Sequence, residues 1–157
     1  MKQLIDSCEF NSPSGTLFST GHTWIRKNDY GLIKLGIDEV TINILGDTSL
    51  NGFSKKGTYL SKGDFLFEIN SQQKKIRIYS PISGTLEFIN PFIIDKIITD
   101  PYMDDWAALI RAQNIIEEQK ALMIHEEYKT MILSEKEKLG SNFESEYIYK
   151  SMEPFGY

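Results

Sequence analysis

The residues best suited to carry chemistry form one short polar run, Gln72-Gln73-Lys74-Lys75. The run separates two segments rich in β-branched and aromatic residues, so it is predicted to form the tip of a hairpin. A lysine amine at such a tip can be acylated and can carry its acyl group through solvent. A glutamine amide cannot be acylated. The residue type at each position of this run therefore decides whether the chain can act as a carrier.

The elements that must position this run are predicted strands. Phe65 to Asn70 precedes it, and Lys75 to Tyr79 follows it. Within the second segment Ile76 and Ile78 alternate with polar residues, so one face is expected to be buried and the other solvated. Thr85 to Ile89 is predicted to be the next strand.

Further strands are predicted near the start of the chain, at Trp24 to Arg26 and at Leu32 to Leu35. A short helix is expected to follow, because Asp38 can cap its N-terminus and Gly46 can end it. A second short helix is predicted from Pro91 to Ile98.

The chain is predicted to have three parts. Residues 1–20 contain a cluster of turn-forming residues and are expected to be a flexible leader, and residues 21–112 are expected to form a β domain. Residues 113–157 are expected to form a long helix over 114–139, ended by Gly140, and a tail rich in aromatic residues. The favoured hypothesis is that the tail packs against its own domain, and the alternative is a partner.

Other residues with chemical potential are few and scattered. His22 is expected to make a structural hydrogen bond beside Trp24, and His125 is expected at the surface. An aspartate cluster (Asp100, Asp104 and Asp105) is predicted to be a turn that caps the fold, with a hard-cation site as the alternative. The prediction for metals is none, and without a phosphate-binding loop or nucleophile elbow no enzyme is expected.

Composition limits the partners. The chain has 157 residues, a net charge of -5 and one cysteine, Cys8. The negative charge argues against nucleic acid and against an anionic membrane surface, since both need clustered positive charge. No apolar run is long enough to span a bilayer. A single cysteine fits a reducing compartment, so a cytoplasmic location is predicted.

Four blocks of sequence, in order, resemble those of the glycine cleavage H protein family, which are lipoyl carriers. They are GHTW (21–24), LGIDEVTINILGD (35–47), SPISG (80–84) and DPYMDDW (100–106). Together they are similar to the family's His-Glu-Trp opening, its short helix, the turn after its modification hairpin and its Asp-Pro-Tyr signature. The resemblance implies a mainly β fold, a lipoyl-domain-like barrel-sandwich hybrid of two small sheets. It also implies short inserted helices and a C-terminal helix.

The resemblance also shows where the chain departs from the family. Counted back from Tyr79, the family's Glu-Ser-Val-Lys-Ala falls on residues 70–74, which places Gln73 at the lipoyl-lysine position. Lys74 is displaced by one residue, and in a strand such a shift reverses the side-chain direction. The favoured interpretation is that Lys74 is a solvated residue, and lipoylation of Lys74 is the alternative. No cofactor is expected, and lipoate only if Lys74 is modified.

A second departure concerns the cleft in which the family's loaded arm docks. The resemblance places its polar positions at Gly21, Thr23 and Val40, which supply no charge to hold an amine. The favoured hypothesis is therefore a scaffold without lipoate that binds a protein, such as a glycine-cleavage-type or lipoate-handling enzyme. The alternatives are a lipoyl carrier modified at Lys74 and a module that holds a small ligand or effector in the former cleft.

Overall fold

The structure is a computed structural model that describes residues 12–72 and 74–151. Most of the predicted leader (residues 1–11), with Cys8, lies outside the described residues, as do Gln73 and residues 152–157. Within the described ranges, nine short strands form two sheets whose strand pairings are all antiparallel. The strands are β1 (Leu17–Phe18), β2 (Thr23–Lys27), β3 (Ile33–Ile37), β4 (Thr48–Asn51), β5 (Tyr59–Leu60), β6 (Phe65–Ser71), β7 (Lys75–Tyr79), β8 (Gly84–Ile89) and β9 (Ala108–Ala112).

The six-stranded sheet has the order β1-β2-β3-β9-β8-β5, and the three-stranded sheet has the order β4-β6-β7. One apolar core draws on side chains from both sheets. In β7, Ile76 and Ile78 are buried while Lys75 and Arg77 are exposed, as the alternation predicted. The prediction of a mainly β fold with two small sheets is confirmed, although the sheets do not close into a barrel.

Four α-helices lie in the described part of the chain: α1 (Glu39–Leu45), α2 (Ile115–Glu118), α3 (His125–Leu139) and α4 (Phe143–Ser151). Two single 3₁₀ turns, Gln119–Ala121 and Gly140–Asn142, follow α2 and α3. The predicted cap of α1 is confirmed, because the Asp38 carboxylate accepts a hydrogen bond from the Thr41 amide at 2.8 Å. Gly46 ends this helix in a backbone conformation with φ of 80°, which glycine adopts at little cost.

The long helix predicted over 114–139 is interrupted. Met123 exchanges two backbone hydrogen bonds with Phe18, of 2.7 and 2.8 Å, so this segment adds a bridge to β1 instead of a helical turn. α3 then runs to Leu139, and Gly140 follows as predicted. Its side chains Tyr128 and Ile132 enter the same core as the strands.

Two further predictions differ from the structure, the second of them only within residues 12–20. Residues 91–98 form turns instead of a helix, because the amides of Asp95 and Ile98 donate to carbonyls of β4. The described part of the predicted flexible leader is ordered from β1 onward, where Phe18 is fully buried and stacks on Tyr128 with 4.4 Å between ring centroids.

Candidate functional site

The hairpin that carries the polar run is formed by β6 and β7. The Ser71 amide donates to the Lys74 carbonyl at 2.9 Å, which joins the two arms of the hairpin at this end. Lys74 is partly buried at the end of this hairpin. Lys74 thus lies directly before β7, at the base of the hairpin turn.

Lys74 lines a groove of about 370 Å³ between the hairpin and two helices. Its walls come from the hairpin, the end of α1 and the first half of α4. The lining residues are Ile44, Leu45, Ser71, Gln72, Lys74, Glu144, Ser145 and Ile148. The groove thus combines an amine, a carboxylate and an apolar wall.

The sequence did not indicate the contribution of α4 to this groove. Glu144, Ser145 and Ile148 are distant from the hairpin in sequence and belong to no motif. The available signal was the apolar character of Phe143, Tyr147 and Ile148 in an otherwise polar segment, which indicates a buried helix face.

His22 lies between Gly21 and Thr23, two of the three positions that the resemblance predicts for a docking cleft. His22 has a positive φ of 74°, a conformation that costs energy in any residue other than glycine. A short turn holds it, because the Ser19 hydroxyl accepts hydrogen bonds from the amides of Gly21 and Thr23. The turn directs the imidazole of His22 towards the interior, where it is 1% exposed.

The imidazole of His22 joins α1 to α4. Its Nδ1 atom lies 3.0 Å from the Thr41 hydroxyl, and its Nε2 atom lies 3.4 Å from the Ile148 carbonyl oxygen. Tyr147 packs edge-on against the same ring, with 5.1 Å between centroids. The prediction of a structural hydrogen bond for His22 is therefore confirmed.

Burial sets the protonation of His22. Desolvation lowers its pKa, and the nearby charge of Asp38 and the bond to Ile148 oppose that shift without reversing it. The imidazole is thus neutral at pH 7. A carbonyl oxygen can only accept, so Nε2 carries the proton and Nδ1 accepts from the Thr41 hydroxyl.

The three predicted cleft residues lie around this histidine. Thr23 and Val40 are each 1% exposed, and Gly21 is partly buried. The Thr23 hydroxyl bonds the Ser19 hydroxyl at 2.7 Å. None of the three lines the groove beside Lys74. Thr23 and Val40 are thus closed to solvent, and the groove beside Lys74 is lined by other residues.

Buried apolar side chains hold α4 against this region of the domain. Phe143, Tyr147 and Ile148 are all buried, so the prediction that the tail packs on its own domain is confirmed for this part. The hydroxyls of Tyr128 and Tyr147 lie 3.1 Å apart. Burial raises the pKa of both tyrosines, so both hydroxyls stay protonated and one can donate to the other. The side chains of Tyr149, Phe155 and Tyr157 lie outside the described residues.

Residues of the four sequence blocks contact one another and form a framework beside His22. Trp24 donates from Nε1 to the Pro101 carbonyl at 3.1 Å, and its ring packs over Gly36. A Cβ atom at Gly36 would lie 2.8 Å from that ring. The Tyr102 hydroxyl accepts from the Glu39 amide at 3.0 Å, at the start of α1.

The aspartate cluster is a structural turn. The Asp105 carboxylate accepts from the amides of Thr99 and Asp100 and pairs with Lys96 at 2.9 Å. These bonds lower the pKa of Asp105 although burial opposes the shift. In the part of the chain that the structure describes, no group of three or more His, Cys, Asp or Glu residues is arranged to hold a metal ion.

His125 is half-buried rather than exposed, and its Nδ1 atom lies 2.9 Å from the Ser12 hydroxyl. The expectation of a surface histidine is therefore only partly met.

Across residues 12–72 and 74–151, no helix has the length and hydropathy that crossing a membrane requires.

Comparison with known proteins finds relatives that are similar over most of this chain. The family model described as "Glycine cleavage H-protein" matches residues 16–135. A probable glycine cleavage system H protein of Pyrococcus horikoshii is 32% identical over 128 residues, which are 80% of this chain and 95% of that protein. The glycine cleavage system H protein of Enterobacter sp. (strain 638) is 32% identical over 115 residues, covering 71% and 89% of the two chains.

The fold is also that of a solved H protein. The crystal structure of a glycine cleavage system H protein from Mycobacterium marinum matches with a TM-score of 0.63 and 23% sequence identity. The match covers 76% of this chain and 97% of that one. With the family model matched over most of its length, this chain belongs to the glycine cleavage H-protein family.

Proposed function

We propose that this protein is an H-protein-like module that has lost lipoylation and binds another protein as a non-catalytic scaffold. The family itself consists of carrier proteins that are not catalysts, and membership confirms the prediction that the chain is not an enzyme. The loss of lipoylation and the scaffold role go beyond family membership and rest on the site.

The contact between His22 and α4 is the observation that carries the proposal. The resemblance places the arm-docking cleft around His22, and here the Ile148 carbonyl and the Tyr147 ring contact the imidazole directly. α4 spans Phe143–Ser151, beyond the residues 16–135 that the family model matches. An element outside the matched region thus contacts the residue around which the resemblance places the docking cleft, and we infer that it blocks a loaded arm.

The residues present fit a docked lipoyl arm poorly. Thr23 and Val40 are each 1% exposed, so neither position offers an opening. Glycine and valine supply no side-chain acceptor, and a buried amine without an acceptor or a carboxylate is costly. At the hairpin, Gln73 occupies the family's lysine position and has no amine to acylate. We therefore give lipoate no role in the proposed function.

A binding role is supported by exposed apolar side chains on the loop between β8 and β9. Phe92 is 80% exposed and Met103 is 54% exposed, and both line a second groove, of about 520 Å³, with Trp106. Large exposed apolar side chains that share a groove are typical of protein-binding surfaces. The partners proposed are glycine-cleavage-type or lipoate-handling enzymes, in the cytoplasm, which a single cysteine fits.

A carrier role with lipoate on Lys74 is the second candidate. It is favoured by the position of Lys74 at the edge of the groove beside α4, where apolar residues (Ile44, Leu45 and Ile148) form one wall. The third hypothesis, a small ligand in the former cleft, has less support because Val40 is buried there.

The intact mass of the protein separates the first two candidates. We would co-express the full chain with a lipoate ligase and added lipoate, with an authentic H protein as the positive control and Lys74→Ala as the matched variant. We expect an unmodified mass for the wild type while the authentic H protein is modified. A lipoyl adduct that disappears in Lys74→Ala would overturn the proposal and establish the carrier.

A further inference from the structure

The outer edge of β7 is open in the described structure. The three-stranded sheet has the order β4-β6-β7, so β7 pairs with β6 on one side only. The opposite edge of this sheet is different, because the amides of Asp95 and Ile98 donate to carbonyls of β4 and cover it. The sheet therefore has one covered edge and one edge that can accept another strand.

The hydrogen-bond register determines which groups this edge presents. Ser71 and Lys74 form a hydrogen-bonded pair, and bonded and non-bonded pairs alternate along an antiparallel ladder. Lys75 opposite Asn70 and Arg77 opposite Glu68 are therefore non-bonded pairs. Their amides and carbonyls point away from β6, and no residue in the described part of the chain binds them. These four groups can pair with an added strand.

The side chains on this edge set the charge that a partner needs. Lys75 and Arg77 are exposed on the same face of β7. Neither forms an ion pair with any described carboxylate, including Glu68 across the strand from Arg77. These two positive charges contrast with the net charge of the whole chain, which is -5.

Arg77 is also held in place. Its guanidinium carbon lies 4.0 Å from the ring centroid of Phe65 and 6.0 Å from that of Tyr79. Contacts with aromatic faces restrict the side chain without neutralising its charge. A guanidinium fixed in this way is suited to bind a carboxylate through two parallel hydrogen bonds.

We propose that β7 is the docking edge for an extended acidic segment of a partner protein, which adds to the sheet as a further strand. The proposal rests on the protein-binding function proposed above and names the partner's chemistry. A second copy of this chain is a poorer occupant, because pairing β7 with β7 sets cationic strands side by side, and like charges in contact across strands are destabilising. Carboxylates at alternate positions of the partner would instead face Lys75 and Arg77.

The test uses the full chain and a capped peptide of alternating glutamate and valine. Two matched peptides serve as controls: one has lysine in place of glutamate, and one has proline at its centre, which removes an amide that the ladder needs. Binding is measured by calorimetry, and the site is located by amide chemical shifts in ¹⁵N-labelled protein.

We expect the acidic peptide alone to bind, with the largest shifts at residues 75–77 and with an affinity that falls as salt is added. Arg77→Glu should weaken binding about tenfold or more, since it replaces a charge-assisted bond with repulsion. Lys138→Glu, which makes the same charge change at an exposed position on α3, should leave the affinity unchanged. Circular dichroism would verify that both variants are folded.

Four results would overturn the proposal: no binding of the acidic peptide, equal binding of the proline or lysine peptide, equal binding to Arg77→Glu, or self-association of the chain through β7. None of them changes the intact mass. Failure of strand docking is therefore distinguishable from failure of the claim that lipoylation is lost.

Discussion

Trp24 and His22 are two residues apart, yet their partners come from different parts of the chain. Trp24 binds Pro101 and packs over Gly36, so its partners come from sequence blocks that resemble the family and lie within the matched residues 16–135. His22 binds Thr41 within the matched region and also contacts Ile148 and Tyr147, on a helix beyond it. The comparison shows that the contacts of Trp24 stay within the family match, while α4 adds contacts to His22 from outside it.

Among the changes that test this comparison, deleting residues 141–157 should have the largest effect on stability. The deletion removes Phe143, Tyr147 and Ile148 from the core and exposes the cleft. Each buried side chain of this size contributes roughly 1.5 to 3 kcal/mol, so we expect a loss of about 5 kcal/mol or more in the free energy of unfolding. Urea denaturation would measure it, with Glu146→Ala on the exposed face of α4 as the control. An unchanged stability would show that α4 does not close the cleft.

Glycine substitutions should have the next largest effect on stability. They should destabilise the framework more than the region around His22. A Cβ atom at Gly84 would collide with the Arg111 carbonyl oxygen, and one at Gly36 would lie 2.8 Å from the Trp24 ring. We expect Gly84→Ala to cost about 3 kcal/mol and Gly36→Ala about 1 to 3 kcal/mol, because a backbone atom yields less readily than a side chain.

Gly21→Ala is the matched control in the cleft region. The added methyl group would find only the Ser19 hydroxyl, at 3.7 Å. We expect its free energy of unfolding to change by no more than about 0.5 kcal/mol. If all three variants lost equal stability, the distinction between a packed framework and a tolerant cleft margin would be wrong.

The pH dependence of stability should report on His22. Burial lowers its folded pKa below the ordinary value of 6.5, so the unfolded chain binds a proton that the folded chain does not. The stability associated with His22 is therefore complete above pH 6.5 and is lost as the pH falls below it, by at most about 1.4 kcal/mol per pH unit.

His22→Gln provides the comparison for this titration, because glutamine keeps hydrogen-bonding groups and does not titrate. We expect the variant to be less stable at pH 7.5 but to lose less stability between pH 7 and pH 5. Equal losses in the two proteins would mean that the cleft histidine is not held neutral by α4.

The sequence predicts the framework well because its signals are local. Asp38 and Gly46 bound α1 as expected, and the alternation at Ile76 and Ile78 identifies the buried face of β7. The prediction failed at residues 91–98, where the amides of Asp95 and Ile98 bind β4. Such a contact joins segments that are far apart in sequence, and no local propensity indicates it.

The candidate site was predicted less completely for the same reason. The blocks of sequence were enough to predict Gln73 at the family's lysine position and the three positions of the cleft. The bond from His22 to Ile148 spans 126 residues of chain and joins a motif to a segment without one. The groove beside Lys74 likewise needs Glu144 and Ile148 on α4, so only the fold reveals it.

Restoring the lysine tests the central claim most directly. The wild type and Gln73→Lys would be co-expressed with a lipoate ligase and added lipoate, and their intact masses would be compared. The account predicts no adduct on the wild type and one lipoyl adduct on Gln73→Lys, because the hairpin framework remains and only the amine is missing. A lipoyl adduct on the wild type would contradict the account and make this protein a carrier.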